Sequence, residues 1–284
     1  MLEESSIWEL YGLKANPFST SPLLVAGGLF PIEIFQGRQA ELVRLKKIFS
    51  SSNSTRVLVC GDVGVGKTSF VNYARHQAMQ QGYFTPFKEI GVNSNWTATD
   101  FMLNTLYAIY STLKLRKKTI VGKQVFDKLE RLVELPYKQT SLTGASALGV
   151  GVRFANESIA PPSISSLALM DFSQQLFNEL FEKTGKPVII HYNNLENVPE
   201  QSLRALYEDL RDFFQSEHVH FVFVGNFSVR SLFQSMPRVA STLSDTPIVI
   251  GELSLDQIEL ILEARIKELR ISEGLNYVVP YSRE

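Results

Sequence analysis

The stretch that decides the fold is GDVGVGKT, residues Gly61–Thr68, which fits the pattern G-x-x-x-x-G-K-[ST]. The residues TRVLVCG (55–61) lead into it, are mostly apolar and predict a buried strand. The residues GKTSFVNYARHQAMQQG (66–82) have the spacing of an amphipathic helix, with Gly82 as its C-cap. Because a glycine-rich turn between a strand and a helix is the setting in which this pattern binds phosphate, the sequence predicts a phosphate-binding loop.

Each part of this loop has an expected role toward a nucleoside triphosphate. The glycines let backbone N–H groups surround the phosphates, and the helix N-terminus adds the positive end of its dipole. Lys67 is expected to reach the β and γ phosphates, and the Thr68 hydroxyl to contact Mg²⁺. The loop therefore predicts ATP and Mg²⁺ as cofactors. Its predicted cofactor-binding residues are Gly61, Asp62, Val63, Gly64, Val65, Gly66, Lys67, Thr68 and Ser69.

The composition is that of a globular protein with a sizeable core. The chain has 284 residues, 44% hydrophobic and 20% charged, and its formal net charge is -1, so no global field draws it to nucleic acid or to an anionic membrane. The single cysteine, Cys60, lies in an apolar run, is predicted to be buried and fits a reducing compartment. The sequence shows neither a secretory signal nor an apolar run of membrane-spanning length, so we expect a cytoplasmic protein without a membrane partner.

The rest of the chain alternates between predicted strands and helices. Further strands are expected at 83–92, 187–192, 218–225 and 246–253, and further helices at 37–51, 98–115, 122–135, 167–183, 200–216, 228–234 and 255–269. Repeated strand–helix units predict an α/β fold with a doubly wound parallel sheet.

One segment interrupts this alternation. Residues 139–166 are dominated by Gly, Ser, Ala and Pro, and only the alternation in LGVGVRF (148–154) indicates short strands. Long loops in compact domains are usually functional or disordered, so a hairpin around Leu148–Arg153 is a candidate contact for a protein partner.

Three further parts of the sequence are informative beside the loop. They are YGLKANPF (11–18) with IFQGRQAEL (34–42), FVFVGN (221–226) and SLDQIELILEARI (254–266). With the loop they resemble the AAA+ P-loop ATPases, nearest to the branch of origin-recognition initiators, transposition-regulator ATPases and STAND-type switches. The resemblance implies an AAA+-like core at 37–253, a lead-in segment at 1–36, and the start of a short or truncated helical lid at 254–284.

The resemblance also implies site residues outside the loop. Gly37 and Arg38 are expected to border the nucleotide. The strand VIIHYNN (188–194) corresponds to one that ends in an aspartate holding the Mg²⁺ shell, followed by an acid that polarises the attacking water. Here these positions are Asn193 and Asn194. Since asparagine brings no charge and cannot act as a general base, we expect binding to survive where hydrolysis falters.

Other candidate residues follow from the same resemblance. Glu196 is either a substitute base or a solvated loop residue, and His191 is expected to point into the core or toward a neighbouring helix. Asn226 corresponds to a sensor asparagine at the end of a strand beside the loop strand. Arg238, with Arg230 in reserve, lies where the family keeps an arginine finger that acts on the neighbouring subunit.

Two basic clusters are either DNA contacts or solvated helix faces. The first comprises Lys114, Arg116, Lys117 and Lys118, and the second comprises Arg44, Lys46 and Lys47.

Two functions remain open on these grounds. The first is a slow ATPase whose ATP state gates oligomerisation and the binding of double-stranded DNA. The second is a STAND-type signalling or defence scaffold that binds nucleotide without appreciable hydrolysis or DNA binding, and the paired asparagines favour it. A duplex-DNA binding assay with ATP present would separate the two.

Overall fold

The computed structural model of the protein describes residues 7–51, 54–116, 120–145, 165–243 and 246–271. The hairpin that we predict around Leu148–Arg153 lies outside these ranges. Within them, no helix is both long enough and apolar enough to cross a membrane.

The chain alternates between strands and helices, as predicted. The strands are β1 (Thr55–Cys60), β2 (Ile90–Gly91), β3 (Val188–Asn193), β4 (Val219–Gly225) and β5 (Ile248–Val249). The helices are α1 (Ile7–Leu10), α2 (Gln39–Ser51), α3 (Lys67–Gln80), α4 (Ala98–Arg116), α5 (Lys123–Ala145), α6 (Ser166–Thr184), α7 (Glu200–Asp209), α8 (Phe227–Ser235), α9 (Pro237–Ala240) and α10 (Leu255–Leu269). Short 3-10 turns span Ile32–Ile34, Leu195–Asn197 and Phe213–Gln215.

The strands form one five-stranded sheet in the order β2-β3-β4-β1-β5, and every neighbouring pair is parallel. The register pairs Cys60 with Gly225, the last residues of β1 and β4. The carboxyl ends of β3, β4 and β1 therefore meet at one edge of the sheet. Ligands of open parallel sheets bind at this edge, just outside the strand ends.

Helices cover both faces of the sheet because successive strand side chains point to opposite faces. On one face α2 and α3 pack against Val57, Val59 and Val222. On the other face α4 to α8 pack against Leu58 and Phe221, among other buried side chains. The predicted doubly wound α/β fold is confirmed.

Some predicted elements were wrong in length. The strand expected at 83–92 is reduced to β2, because Pro86 cannot donate to a ladder and the Phe87 N–H donates instead to Thr112 Oγ1. The helix expected at 200–216 ends at Asp209, and the chain then turns so that Phe213 and Phe214 enter the core.

Two further differences concern proline and a strand end. Helix α5 extends past the predicted limit of 135 to Ala145, so Pro136 does not end it, although an internal proline removes one backbone hydrogen bond. The strand expected at 246–253 is only β5, and the ladder closes with the Ile250 N–H donating to the Cys60 carbonyl.

The lead-in segment packs against α10, far from it in sequence. Leu13, Phe30 and Ile32 share a hydrophobic cluster with Ile266 and Leu269. The guanidinium of Arg265 donates to the carbonyls of Pro17 and Ser19. This cluster forms a wall beside the loop after β1. The division into 1–36, 37–253 and 254–284 stays a prediction.

Candidate functional site

The loop between β1 and α3 has the backbone of a phosphate cradle. Gly64 and Gly66 have φ angles of 84° and 90°, a left-handed region that favours glycine, and a Cβ atom on either would meet nothing within 4 Å. Gly66 is also the N-cap of α3, and no side chain caps this helix. The first N–H groups of α3 lack intrahelical partners, so they suit an anionic ligand on the open side of the loop.

Lys67 lies within this cradle. Its side chain is buried, and its Nζ donates to the carbonyl oxygens of Gly61 and Asp62 at 3.1 and 2.8 Å. These acceptors are neutral, so a phosphate would be a stronger partner for the ammonium. A Cβ atom at Gly61 would lie 2.2 Å from the Ile250 carbonyl oxygen, which explains why glycine is needed where the loop leaves β1.

Thr68 and Asn193 meet across the site although they are far apart in sequence. The Thr68 hydroxyl lies 3.3 Å from Asn193 Oδ1 and 3.2 Å from Asn193 Nδ2. The fold therefore brings together the two residues predicted as metal contacts. They offer one hydroxyl and one carboxamide, whereas Mg²⁺ usually takes one or two carboxylates besides phosphate and water. The donor set does not fit a centre that would hold Mg²⁺ by protein charge.

Asn194 and Glu196 follow on the same strand end. Asn194 is exposed at a φ of 62°, and its Nδ2 lies 3.7 Å from where a Cβ on Gly91 would be, so it leans over β2. Glu196 is partly buried, and its Oε2 is sheltered without a hydrogen-bond partner in the part of the chain that the structure describes. The turn that carries Glu196 packs on β4 and α8.

Asn226 follows the last residue of β4, beside the start of the loop. Its Oδ1 accepts from the Val229 N–H at 3.2 Å and so caps α8. The cap fixes the carboxamide at the carboxyl edge of the sheet between β1 and β3. The role of Asn226 as a sensor of the nucleotide stays a prediction. Because Oδ1 is used in the cap, Nδ2 is the side-chain atom that would contact the nucleotide.

Of the two predicted contacts outside the loop, Arg38 supports the loop and Gly37 packs against α10. The Arg38 guanidinium is buried and donates to the carbonyls of Val65 and Gly251, both at 2.8 Å. Gly37, at a φ of 81°, packs against the Gln257 side chain of α10. The predicted residues within the loop differ in exposure. Ser69 Oγ accepts from the Leu23 N–H, while Asp62 and Val63 are exposed.

A cavity of about 290 Å³ opens beside the loop and is large enough for part of a nucleotide. The loop residues 64–66 form one side of it, and the other sides come from the lead-in and α10. The apolar residues from those two elements include Phe18, Ile34, Phe35, Ile258, Ile261 and Leu262. None of these residues was predicted from the sequence. A signal was present in α10, because Ile258, Ile261 and Leu262 are three and four residues apart and therefore share one apolar face of the helix.

The two candidate arginines lie in different places. Arg238 is exposed on α9 and lines a separate surface cavity of about 390 Å³ together with Arg204 and Arg211. Arg230 is half-buried on α8, one turn after Asn226. Cys60 is buried, as predicted, and its burial raises the pKa of its thiol. The positive charges of Arg230 and Lys67 act to lower that pKa. Because α8 begins directly after β4, Arg230 is the candidate arginine in the first turn beyond the carboxyl edge of the sheet.

Three residues of the two basic clusters contact their own chain. Lys114 Nζ donates to Tyr110 Oη and Glu134 Oε1, and the Arg116 guanidinium lies over the rings of Phe84 and Phe87. For the second cluster, Arg44 donates to the Thr246 carbonyl at 2.5 Å. Lys117 and Lys118 lie outside the described residues.

Sequence reasoning also missed a buried polar network beneath the loop helix. Arg75 of α3 is fully buried and donates to Thr85 Oγ1, Asn72 Oδ1 and the Pro86 carbonyl. His191 Nδ1 lies 3.3 Å from Arg75 and 3.2 Å from Asn72, so His191 contacts a neighbouring helix as predicted. Burial, together with Arg75, lowers the pKa of His191 well below its ordinary value, so its ring is neutral near pH 7.

Comparisons with known proteins give one family match and several similar solved structures. The model of the family described as AAA ATPase domain matches residues 34–224. Two similar solved structures are from Aeropyrum pernix. The ORC2 protein in ADPNP–ADP complexes is 16% identical, with 82% of this chain and 52% of that chain covered and a TM-score of 0.46. The ORC1 protein in complex with DNA is 21% identical, with 84% and 52% covered and a TM-score of 0.42. This chain thus spans about half the length of those two proteins, and no curated protein matches it.

Proposed function

Because the chain belongs to the AAA ATPase domain family, we propose that it is an ATP-binding switch that hydrolyses its nucleotide slowly and self-associates when ATP is bound. One observation carries the proposal. The phosphate loop leads into helix α3, whose N-terminus has no side-chain cap, and it faces the end of β3, which has asparagine at both positions where acids are expected. The loop supplies the backbone N–H groups and the lysine that phosphate binding requires, and the strand end lacks the carboxylates that hydrolysis requires.

The residues of the loop account for binding. Backbone N–H groups at the start of α3 and the Lys67 ammonium hold the phosphates, and the ammonium exchanges two carbonyl partners for phosphate oxygens. The apolar cavity beside residues 64–66 receives the base and excludes water from it. Arg38 keeps the loop in place by tying Val65 to Gly251.

The same residues explain slow hydrolysis. A water that attacks the γ-phosphate needs a group to orient it and take its proton, and Asn194 cannot accept a proton near pH 7. Its carboxamide also leans toward Gly91 on the outer strand. Glu196 is the nearest acid along the chain, and its Oε2 is sheltered from solvent.

Restoring both acids should raise turnover. We expect the wild type to hydrolyse ATP far more slowly than about 1 per second, a rate common among enzymes. The variant Asn193→Asp with Asn194→Glu should be faster by about 100-fold, since a positioned base contributes on this order. Phosphate release under saturating ATP is the measurement, and adding Lys67→Ala to the double variant is the control that must remove the gain. A wild-type rate of about 1 per second or more would point to Glu196 as a working base.

ATP should also promote self-association through Arg238. This residue is exposed on α9, beyond the sensor strand, and a guanidinium there can make a bidentate contact to the γ-phosphate of a neighbouring subunit. We expect light scattering to show a larger mass with ATP than with ADP or without nucleotide, and Arg238→Ala to remove the difference. A monomeric mass under all three conditions would contradict this part of the proposal.

A second candidate function is a nucleotide-gated scaffold that does not bind DNA. The placement of the basic clusters favours it, because Lys114, Arg116 and Arg44 already contact groups of their own chain. Binding of double-stranded DNA is therefore the weaker form of the proposal, and a protein partner the stronger.

A further inference from the structure

The distribution of charge around the loop departs from what a metal-dependent site needs. A site that relies on Mg²⁺ usually places one or two carboxylates near the ion, and substrate phosphates and water complete its coordination. Here the strand end opposite Thr68 is Asn193, and Asn194 follows it. Within the described ranges, no three His, Cys, Asp or Glu side chains come close enough together to hold a metal ion.

The contact between Thr68 and Asn193 brings no negative charge to the expected cation position. The Thr68 hydroxyl oxygen is the atom expected to bind Mg²⁺, and the carboxamide of Asn193 lies against it, with Nδ2 at 3.2 Å and Oδ1 at 3.3 Å. The carboxamide is neutral, and its N–H brings partial positive charge where it donates to the hydroxyl. An aspartate at this position would have only acceptor atoms.

Positive charge from side chains is present at the same edge of the sheet. Lys67 lies in the loop, and Arg230 lies in the first turn of α8, one turn after Asn226, which follows the last residue of β4. Helix α8 packs against both β1 and β4, which fixes Arg230 near the carboxyl ends of these strands. Arg230 is half-buried, and in the described part of the chain its guanidinium makes no hydrogen bond or ion pair. A half-buried cation without a partner suits an anionic ligand.

We propose that this site binds a nucleoside triphosphate without requiring a divalent cation, with Lys67 and Arg230 supplying the charge that Mg²⁺ would otherwise bring. The inference rests on the proposed function, because it concerns the ligand of the same loop. Arg230 then acts within its own subunit, unlike Arg238. Neutral Asn193 is what allows metal-free triphosphate to approach, since a carboxylate there would repel the phosphates.

The test is titration of the full chain with ATP, by calorimetry, in excess Mg²⁺ and again in EDTA. We expect the two dissociation constants to agree within about threefold, which is less than 1 kcal/mol. Affinity that falls about tenfold or more in EDTA would overturn the inference while leaving nucleotide binding intact. Absence of binding in both buffers would instead overturn the proposed function.

Two variants test the causes separately. Asn193→Asp should create metal dependence, with affinity for ATP about tenfold weaker in EDTA than in Mg²⁺. A variant as metal-independent as the wild type would contradict the role given to Asn193.

Arg230→Gln should weaken ATP binding in EDTA by about tenfold, because it removes a charge at the phosphates. The matched control is Arg211→Gln, which changes an exposed arginine just beyond α7 and should bind as the wild type does. Equal binding by Arg230→Gln and Arg211→Gln would remove Arg230 from the site. If Asn193→Asp does not fold, the comparison of wild type in the two buffers still decides.

Discussion

Replacing Lys67 with alanine is expected to weaken ATP binding by about 100-fold or more. The ammonium is buried in the loop, and its two acceptors, the Gly61 and Asp62 carbonyls, are replaced by phosphate oxygens when the ligand binds. Hydrogen bonds to charged groups contribute about 1.5–3 kcal/mol each, and each 1.4 kcal/mol is a factor of ten in affinity. Calorimetric titration of wild type and variant is the measurement.

A control must separate lost charge from a disturbed loop. Lys183→Ala changes an exposed lysine in the last turn of α6, at the opposite edge of the sheet from the loop, and should bind ATP as the wild type does. Urea unfolding without nucleotide should show that Lys67→Ala remains folded. An unchanged dissociation constant in this folded variant would mean that the loop does not cradle phosphate.

The largest effect on stability is expected from Arg75→Met. Arg75 is fully buried, and burial lowers its pKa to about 10, so it remains a cation near pH 7. Methionine keeps much of the side-chain volume but leaves Thr85, Asn72 and the Pro86 carbonyl without this donor. Asn72 Oδ1 keeps its contact with His191, so two buried acceptors are left unpaired. Each costs about 1–3 kcal/mol, so the free energy of unfolding should fall by about 2 kcal/mol or more.

Urea unfolding followed by circular dichroism checks this value through the midpoint and slope. Arg211→Met is the matched control, because Arg211 is exposed, and it should change the free energy of unfolding by about 0.5 kcal/mol or less. Arg75→Met with the midpoint of the wild type would show that the network does not contribute to stability.

The parts of the fold that were predicted correctly carry strong local signals. The loop with β1 and α3 combines a specific pattern with a buried strand and an amphipathic helix. The bounds of α10 were predicted at Leu255–Leu269 as observed, and its N-terminus is marked by Ser254 and Gln257, which form a capping box. The resemblance to AAA+ ATPases is confirmed by the family match over residues 34–224.

The parts that the sequence did not predict depend on distant contacts. No local pattern shows that the lead-in packs on α10, since Arg265 reaches Pro17 and Ser19 across most of the chain. The sequence gives no sign that Arg75 is buried, because its partners Thr85 and His191 come from other parts of the chain. The same limit applies to the site, because the cavity beside the loop is built from three separate segments.

The central claim, that this site binds ATP and retains it, is tested most directly by the fate of bound nucleotide. The protein is mixed with radiolabelled ATP, separated from free nucleotide by rapid gel filtration, and quenched with acid at increasing times. The account predicts that nucleotide co-elutes with the protein and remains ATP for many minutes, far longer than the turnover time of about 1 s that is common among enzymes. Conversion of the bound ATP to ADP within seconds, or elution of the protein without nucleotide, would contradict it.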